Sequence, residues 1–297
     1  MPAHKYTILQ IGIICFLTAI IGVRLVSQFP EWFNGQGRNS LLTSATQSAA
    51  PFITLGSATS TEDSGFLDHV VPIFEAATGI NVHVEAVGTG RALAEGARGN
   101  VDALLVHDRA EEENFVADGN GTDRRDVMYN EFVIVGPSFD PAGIRGLRDV
   151  RKAFAQIAAK GVLFASRGDS GGTYRKELRL WQLAGVEPAG QPWYRKVDQG
   201  VGATLNFAAA SDAYALTDRA TWANFKNRQN LEILTEGDPA LFNLYGSILV
   251  NPAKWPEVKF AEAKIWEQWL TSRAGLDVIT SYRIDGEELF FPPRPRL

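Results

Sequence analysis

The sequence predicts an α/β protein built as two lobes with a ligand cleft between them. Three observations predict it: strand-like and helix-like segments alternate along the chain, that alternation runs twice, and several strand-to-helix turns are rich in Gly, Ser and Thr. At 297 residues, 45% hydrophobic and 21% charged, the chain has the composition of a folded protein and a length at which single cores usually stop growing.

The order begins with an apolar run from Tyr6 to Val23, preceded by His4 and Lys5, broken by Thr7, Gln10 and Thr18, and followed by Arg24. Charge, apolar run and polar flank in that order predict an export signal. Its length also approaches that of a membrane span, and bulky Leu25, Val26, Phe29 and Trp32 supply no small-residue cleavage site, so a signal peptide and an uncleaved anchor over residues 6–23 both stay open. Asn34 to Ala50 is a Gly/Ser/Thr/Ala/Gln linker. Residues 1–50 are therefore read as signal or anchor plus linker, 51–137 with 236–297 as one lobe, and 138–235 as a second lobe inserted in it.

Phe52 to Gly56 reads as a strand, followed by a hydroxyl turn with Ser57, Thr59, Ser60, Thr61 and Ser64. Leu67, Val70, Val71 and Phe74 fall at helical spacing up to Gly79, with Pro72 predicting a kink or an early first turn. Asn81 to Val87 alternates as a strand, Gly88-Thr89-Gly90 turns the chain, Arg91 to Arg98 is helical, and Val101 to Val106 is a buried strand. Phe132 to Val135 is a further strand stopped by Gly136-Pro137. The second unit holds a helix at Asp149 to Lys160, a strand at Val162 to Ala165, a turn at Ser166 to Thr173 and a helix at Tyr174 to Leu183. Strands at Tyr214 to Thr217, Leu231 to Thr235 and Tyr245 to Val250, and a helix at Ala261 to Leu270, complete the pattern. Trp181, Trp193, Trp266 and Trp269 are expected to pack cores.

Several function classes drop out on composition. Net charge is −5 with no dense Lys/Arg block, against a nucleic-acid partner. The single Cys, Cys15, builds neither a disulfide framework nor a thiolate zinc site. Gly168-Asp169-Ser170-Gly171-Gly172 matches the serine run of trypsin-like proteases, but His69, His83 and His107 lie in unrelated contexts within an α/β pattern, and they have no metal-ligand spacing. Gly200-Val201-Gly202-Ala203-Thr204 lacks the third glycine of a dinucleotide fingerprint.

What remains is anion chemistry. The turns Ser57–Gly65, Gly88–Gly90 and Ser166–Thr173 each follow a strand and open a helix, where free N–H groups and hydroxyls favour an anion. Arg167 is the only cation in them and can hold an oxyanion in bidentate fashion, with Asp169 placed to orient it. Tyr129, Tyr214, Thr217 and Asp218 are candidates for the hinge side.

The runs Leu55-Gly-Ser-Ala-Thr-Ser-Thr-Glu-Asp-Ser-Gly65, Ala86-Val-Gly-Thr-Gly90, Asp102-Ala-Leu-Leu-Val-His107, Phe164-Ala-Ser-Arg-Gly-Asp169 and Tyr214-Ala-Leu-Thr-Asp-Arg219 resemble the tungstate-binding, extracytoplasmic solute receptors of ABC transporters, in order from about residue 52 to Pro292. The resemblance implies a periplasmic-binding-protein fold of two lobes that closes on a tungstate or molybdate oxyanion and delivers it to a membrane permease. It also implies a periplasmic, monomeric protein with no enzymatic activity, no cofactor and no free metal cation. That family's Thr-Thr-Thr-Ser turn falls on Ser57-Ala58-Thr59-Ser60, and its Ser-Arg-Gly-Asp-Asp-Ser-Gly-Thr-His loop falls on Ser166 to Tyr174, where Gly171 replaces a serine. The expected oxyanion site is Thr59, Ser60, Thr89, Gly90, Arg167, Asp169, Ser170 and Thr173. Phosphate or sulfate is the competing ligand, and a membrane-anchored sensor that has lost its ligand is the competing role.

Overall fold

A computed structural model describes residues 50–293; the predicted signal or anchor and nearly all of the linker lie outside the described residues. The chain runs β1 (Phe52–Ala58), α1 (Thr59–Asp63), α2 (Phe66–Thr78), β2 (Asn81–Val87), α3 (Thr89–Gly96), β3 (Ala103–Val106), α4 (Arg109–Ala117) and β4 (Gly121–Pro137). It continues through α5 (Val150–Lys160), β5 (Phe164–Ser166), α6 (Gly172–Leu183), β6 (Tyr194–Lys196), α7 (Val201–Ser211), β7 (Tyr214–Asp218), α8 (Arg219–Asn224) and β8 (Leu231–Thr235). A 3-10 turn (Pro239–Leu241), β9 (Phe242–Val250), α9 (Phe260–Leu270), α10 (Arg273–Ser281) and a short hairpin close it. Among the described residues no helix is long and apolar enough to cross a membrane.

The strand order is β2-β1-β3-β9-β4-β7-β5-β6, with β8 on β4. β1 pairs in parallel with β2 and β3, and β5 in parallel with β6 and β7, which gives each lobe the βαβ core the alternation predicts. The lobes are joined by two strands. Along β4, Gly121 to Glu131 pairs with β9, whereas Phe132 to Pro137 pairs with β7 and β8. The chain therefore crosses at Glu131/Phe132 and returns at Leu241/Phe242. By pairing, Phe132 to Pro137, read from sequence as the end of the first lobe, belongs with the inserted one.

Apolar faces on both sides of each sheet are covered. Ile53, Leu55, Phe66, Phe74, Trp266 and Phe290 fill one side of the first lobe, and Leu104, Phe115 and Ile248 the other. In the inserted lobe Phe132, Phe154, Phe164 and Trp181 pack one side, and Val133, Leu205, Ala215 and Trp222 the other. Trp193 and Trp269 pack against these cores as partly buried side chains. α2 runs through Pro72, which lies exposed on it.

Candidate functional site

Four strand-to-helix junctions converge where the lobes meet, because in doubly wound sheets such turns gather at the carboxyl ends of the strands. β1 leads into α1 at Ala58/Thr59, and Gly88 caps α3. In the inserted lobe Gly171 caps α6 and Gly200 caps α7. The junctions touch across the cleft. Gly90 N donates to the Ser170 carbonyl at 3.3 Å. A Cβ added to Gly88 would lie 3.3 Å from both Gly171 N and Ser170 Oγ, and one on Gly172 would lie 2.9 Å from Thr89 Oγ1. Glycines at these places let two backbones approach where side chains would hold them apart.

Arg167 is the centre of the arrangement. It is 2% exposed. Its Nε donates to Asp169 at 2.9 Å, and its Nη2 crosses the cleft to donate to Thr59 Oγ1 at 2.6 Å. Nη1 is buried with no protein partner. Asp169 Oδ1 also accepts from Gly171 N at 2.9 Å, so both carboxylate oxygens hold the loop and the guanidinium. Because Thr59 Oγ1 already accepts from Arg167, its own proton is left to point elsewhere. The hydroxyls of Thr89 and Thr173, one from each lobe, are likewise buried without a protein partner. Buried donors without a partner cost folding free energy, and a guanidinium N–H and hydroxyls are the kinds of donor that suit an oxyanion.

Of the residues singled out from sequence, Thr59, Thr89, Gly90, Arg167, Asp169 and Thr173 come together here. Ser60 is fully buried, and its Oγ meets His107 Nε2 at 2.8 Å. The Ser170 side chain is exposed on the rim, so it contributes its carbonyl to the interlobe contact. Tyr129, on a connecting strand, packs against Phe242 with a tilted ring at 4.7 Å and stacks on Phe291 at 5.3 Å. Tyr214 is part of the inserted lobe's core, with its hydroxyl donating to Asp140. Asp218 caps α8, and Thr217 is buried beside it. Gly200 lies against Thr59, where an added Cβ would stand 3.8 Å from Oγ1.

Sequence reasoning set His107 aside with His69 and His83, yet the structure places it against the site. The ring packs against Tyr245, its Cε1 would lie 3.0 Å from a Cβ on Gly172, and its Nδ1 faces Asn243 Oδ1 at 3.2 Å. Burial first, and the Arg167 charge second, push its pKa down to about 4. Ser60, His107 and Asn243 thus have the outline of a nucleophile, base and orienting amide, but an imidazole this weakly basic is a poor general base near neutrality. An unflagged group is Glu177 on α6. It accepts from Tyr194 Oη at 2.6 Å and Trp181 Nε1 at 3.3 Å, and it also takes the Arg167 backbone N–H. Burial raises its pKa to about 7. The remaining histidines are peripheral: His69 meets Val278 O and Ser281, and His83 stacks on Phe52. Among the described residues no group of three or more His, Cys, Asp or Glu is placed to hold a metal ion.

Two α/β lobes joined by a pair of crossing strands, with helix N-termini from both facing one buried arginine, define a cleft-binding protein for a small anion. Comparison with known proteins agrees with that class. The model of the PBP superfamily domain matches residues 43–274. Tungstate-binding protein TupA of Peptoclostridium acidaminophilum is 43% identical over 81% of this chain and 85% of its own length. The tungstate-binding protein TupA from Desulfovibrio alaskensis G20 superposes with a TM-score of 0.71 at 42% identity, covering 83% of this chain and 100% of that one. The tungstate ABC transporter structure from Geobacter sulfurreducens gives 0.72 at 46% identity, covering 78% of this chain and 98% of that one. The chain belongs to the PBP superfamily and, within it, to the family of these TupA proteins.

Proposed function

We propose that this chain is a non-enzymatic receptor that captures a fully deprotonated tetrahedral oxyanion, tungstate first and molybdate second, between its lobes. The single observation that carries the reading is the buried donor set around Arg167. Nη1 and the hydroxyls of Thr89 and Thr173 lack protein partners, while the nearest carboxylate, Asp169, spends both oxygens on Arg167 and Gly171 N. A dianion that only accepts hydrogen bonds fits donors without a free carboxylate acceptor, whereas phosphate near neutral pH keeps a proton that needs one. The names of the TupA relatives support the same ligand class. Delivery to an ABC permease outside the cytoplasm, action as a monomer, and the oxyanion roles of Thr59, Thr89, Gly90, Arg167, Asp169 and Thr173 belong to this proposal. Thermal-shift titration against tungstate, molybdate, phosphate and sulfate tests it, because a ligand that binds only the folded state raises the melting temperature. A rise with tungstate or molybdate alone is the expected result; a rise with phosphate alone would replace the ligand, and no rise with any of them would favour a sensor that has lost it.

A further inference from the structure

Six residues form a closed ring of buried hydrogen bonds through the place where the chain crosses between lobes. Ser60 Oγ meets His107 Nε2 at 2.8 Å, and His107 Nδ1 meets Asn243 Oδ1 at 3.2 Å. Asn243 Nδ2 donates to Asn130 Oδ1 at 2.7 Å, and Asn130 Nδ2 donates to Asp218 Oδ1 at 3.0 Å. Asp218 Oδ1 also accepts the Thr221 backbone N–H at 3.0 Å, and Thr221 Oγ1 completes the circuit, standing 2.5 Å from Asp218 Oδ2 and 3.0 Å from the Ser60 carbonyl, two acceptors for its one proton. Asn130 stands just before the crossing on β4, and Asn243 just after it on β9.

A backbone N–H can only donate, so Asp218 Oδ1 is an acceptor and the Asn130 group facing it must be the amide NH2. Asn130 then presents its oxygen to Asn243, which must donate there and present its own oxygen to His107. We propose that His107 is a positioning residue for the anion site, held by this ring as the Nδ1–H tautomer, so that its Nε2 takes the Ser60 hydroxyl proton. Ser60 is thereby held through its side chain, and its hydroxyl is removed from the donors offered to the ligand. The same lock holds the α1 turn that carries Thr59 against the ring edge beside Thr89 and Gly172. This inference rests on the oxyanion reading of the site only for its effect on affinity; the tautomer follows from the ring.

In the full-length chain labelled with 15N at histidine, long-range 1H–15N correlation should show His107 protonated at Nδ1 alone near neutral pH, with or without tungstate, the signal being assigned by its loss in His107→Leu. A ring protonated at Nε2, or at both nitrogens, overturns the proposal. Calorimetric tungstate titrations test the consequence. His107→Leu removes the acceptor for Ser60 and should weaken binding about tenfold, whereas His107→Gln, which offers an oxygen in its place, should stay within about threefold of the unaltered chain. A glutamine variant as weak as the leucine variant overturns the positioning role. If the leucine variant does not fold, the tautomer in the unaltered chain decides. Unaltered protein that takes up no tungstate counts against the ligand assignment, and the tautomer is then still read by itself.

Discussion

Arg167 is the side chain whose loss should cost most. It is nearly fully buried, it joins the lobes through Thr59, and its Nη1, like the Thr89 and Thr173 hydroxyls, is buried without a protein partner. Hydrogen bonds to charged groups contribute about 1.5 to 3 kcal/mol each, so Arg167→Ala should weaken tungstate binding on the order of a hundredfold by calorimetry. Arg167→Lys should recover little, since an ammonium cannot reach Asp169, Thr59 and a ligand from one plane. Unchanged affinity in the alanine variant would remove Arg167 from the site. Glu177 gives a prediction with a pH sign. Burial raises its folded pKa from 4.5 to about 7, so its contribution to stability is fully present below about 4.5 and is lost as pH rises through 7. Glu177→Gln cannot ionise, and its melting temperature should therefore fall less between pH 5 and 8 than that of the unaltered chain; parallel curves would show that Glu177 does not titrate there. Arg167 and Asp169 were legible in the sequence because they sit two apart in one turn. His107, Asn130 and Asn243 were not, because three separate strands bring them together and no local spacing announces it.

At the scale of elements, the N-terminus of α6 is built tightly enough to test. A Cβ on Gly171 would stand 2.5 Å from Arg167 Cζ, yet the backbone there has φ −71°, which any residue adopts. Gly171→Ala should therefore leave α6 intact by circular dichroism while displacing the guanidinium, with tungstate affinity falling about tenfold. Unchanged affinity would mean that the guanidinium has room to shift without leaving the ligand. The same logic explains which elements could be read in advance. β1, β2, β3 and α5 follow apolar periodicity and emerge close to their predicted places. β4 was read only at Phe132 to Val135, because Asp123, Arg124, Arg125 and Asp126 interrupt its first half and two bulges break the alternation. α4 carries Glu111, Glu112 and Glu113 in its first turns and buries only Glu112 and Phe115, so it lacks an apolar stripe. α7 was read as a Gly-rich turn because its first residues are small, and its buried Leu205, Ala208 and Ala209 come later.

For the whole molecule, what holds the lobes together is as much electrostatic as steric. Asp108, at the start of α4, is 2% exposed and accepts from Arg179 of α6 at 2.7 and 2.5 Å, while Glu111 pairs with Arg175 at 2.9 Å. Arg175 and Arg179 are four residues apart, on the face of the helix whose first turn supplies Thr173 to the site. The helix whose first turn carries Thr173 thus also carries the two arginines that reach α4. Pairs with partly exposed arginines contribute only about 0.2 to 1 kcal/mol each, but stripping Arg179 leaves the buried Asp108 carboxylate under-compensated, a larger penalty. Arg179→Ala should consequently weaken tungstate binding about three- to tenfold. The change should appear mainly in the dissociation rate, because the encounter complex forms before the lobes meet. The ligand-free variant should also give a larger radius of gyration in solution scattering, and added salt should move the unaltered protein the same way by screening the pairs. If dissociation and scattering both stay unchanged, the ion pairs merely follow closure, and the contacts of Arg167 with Thr59 and of Gly90 with Ser170 carry it.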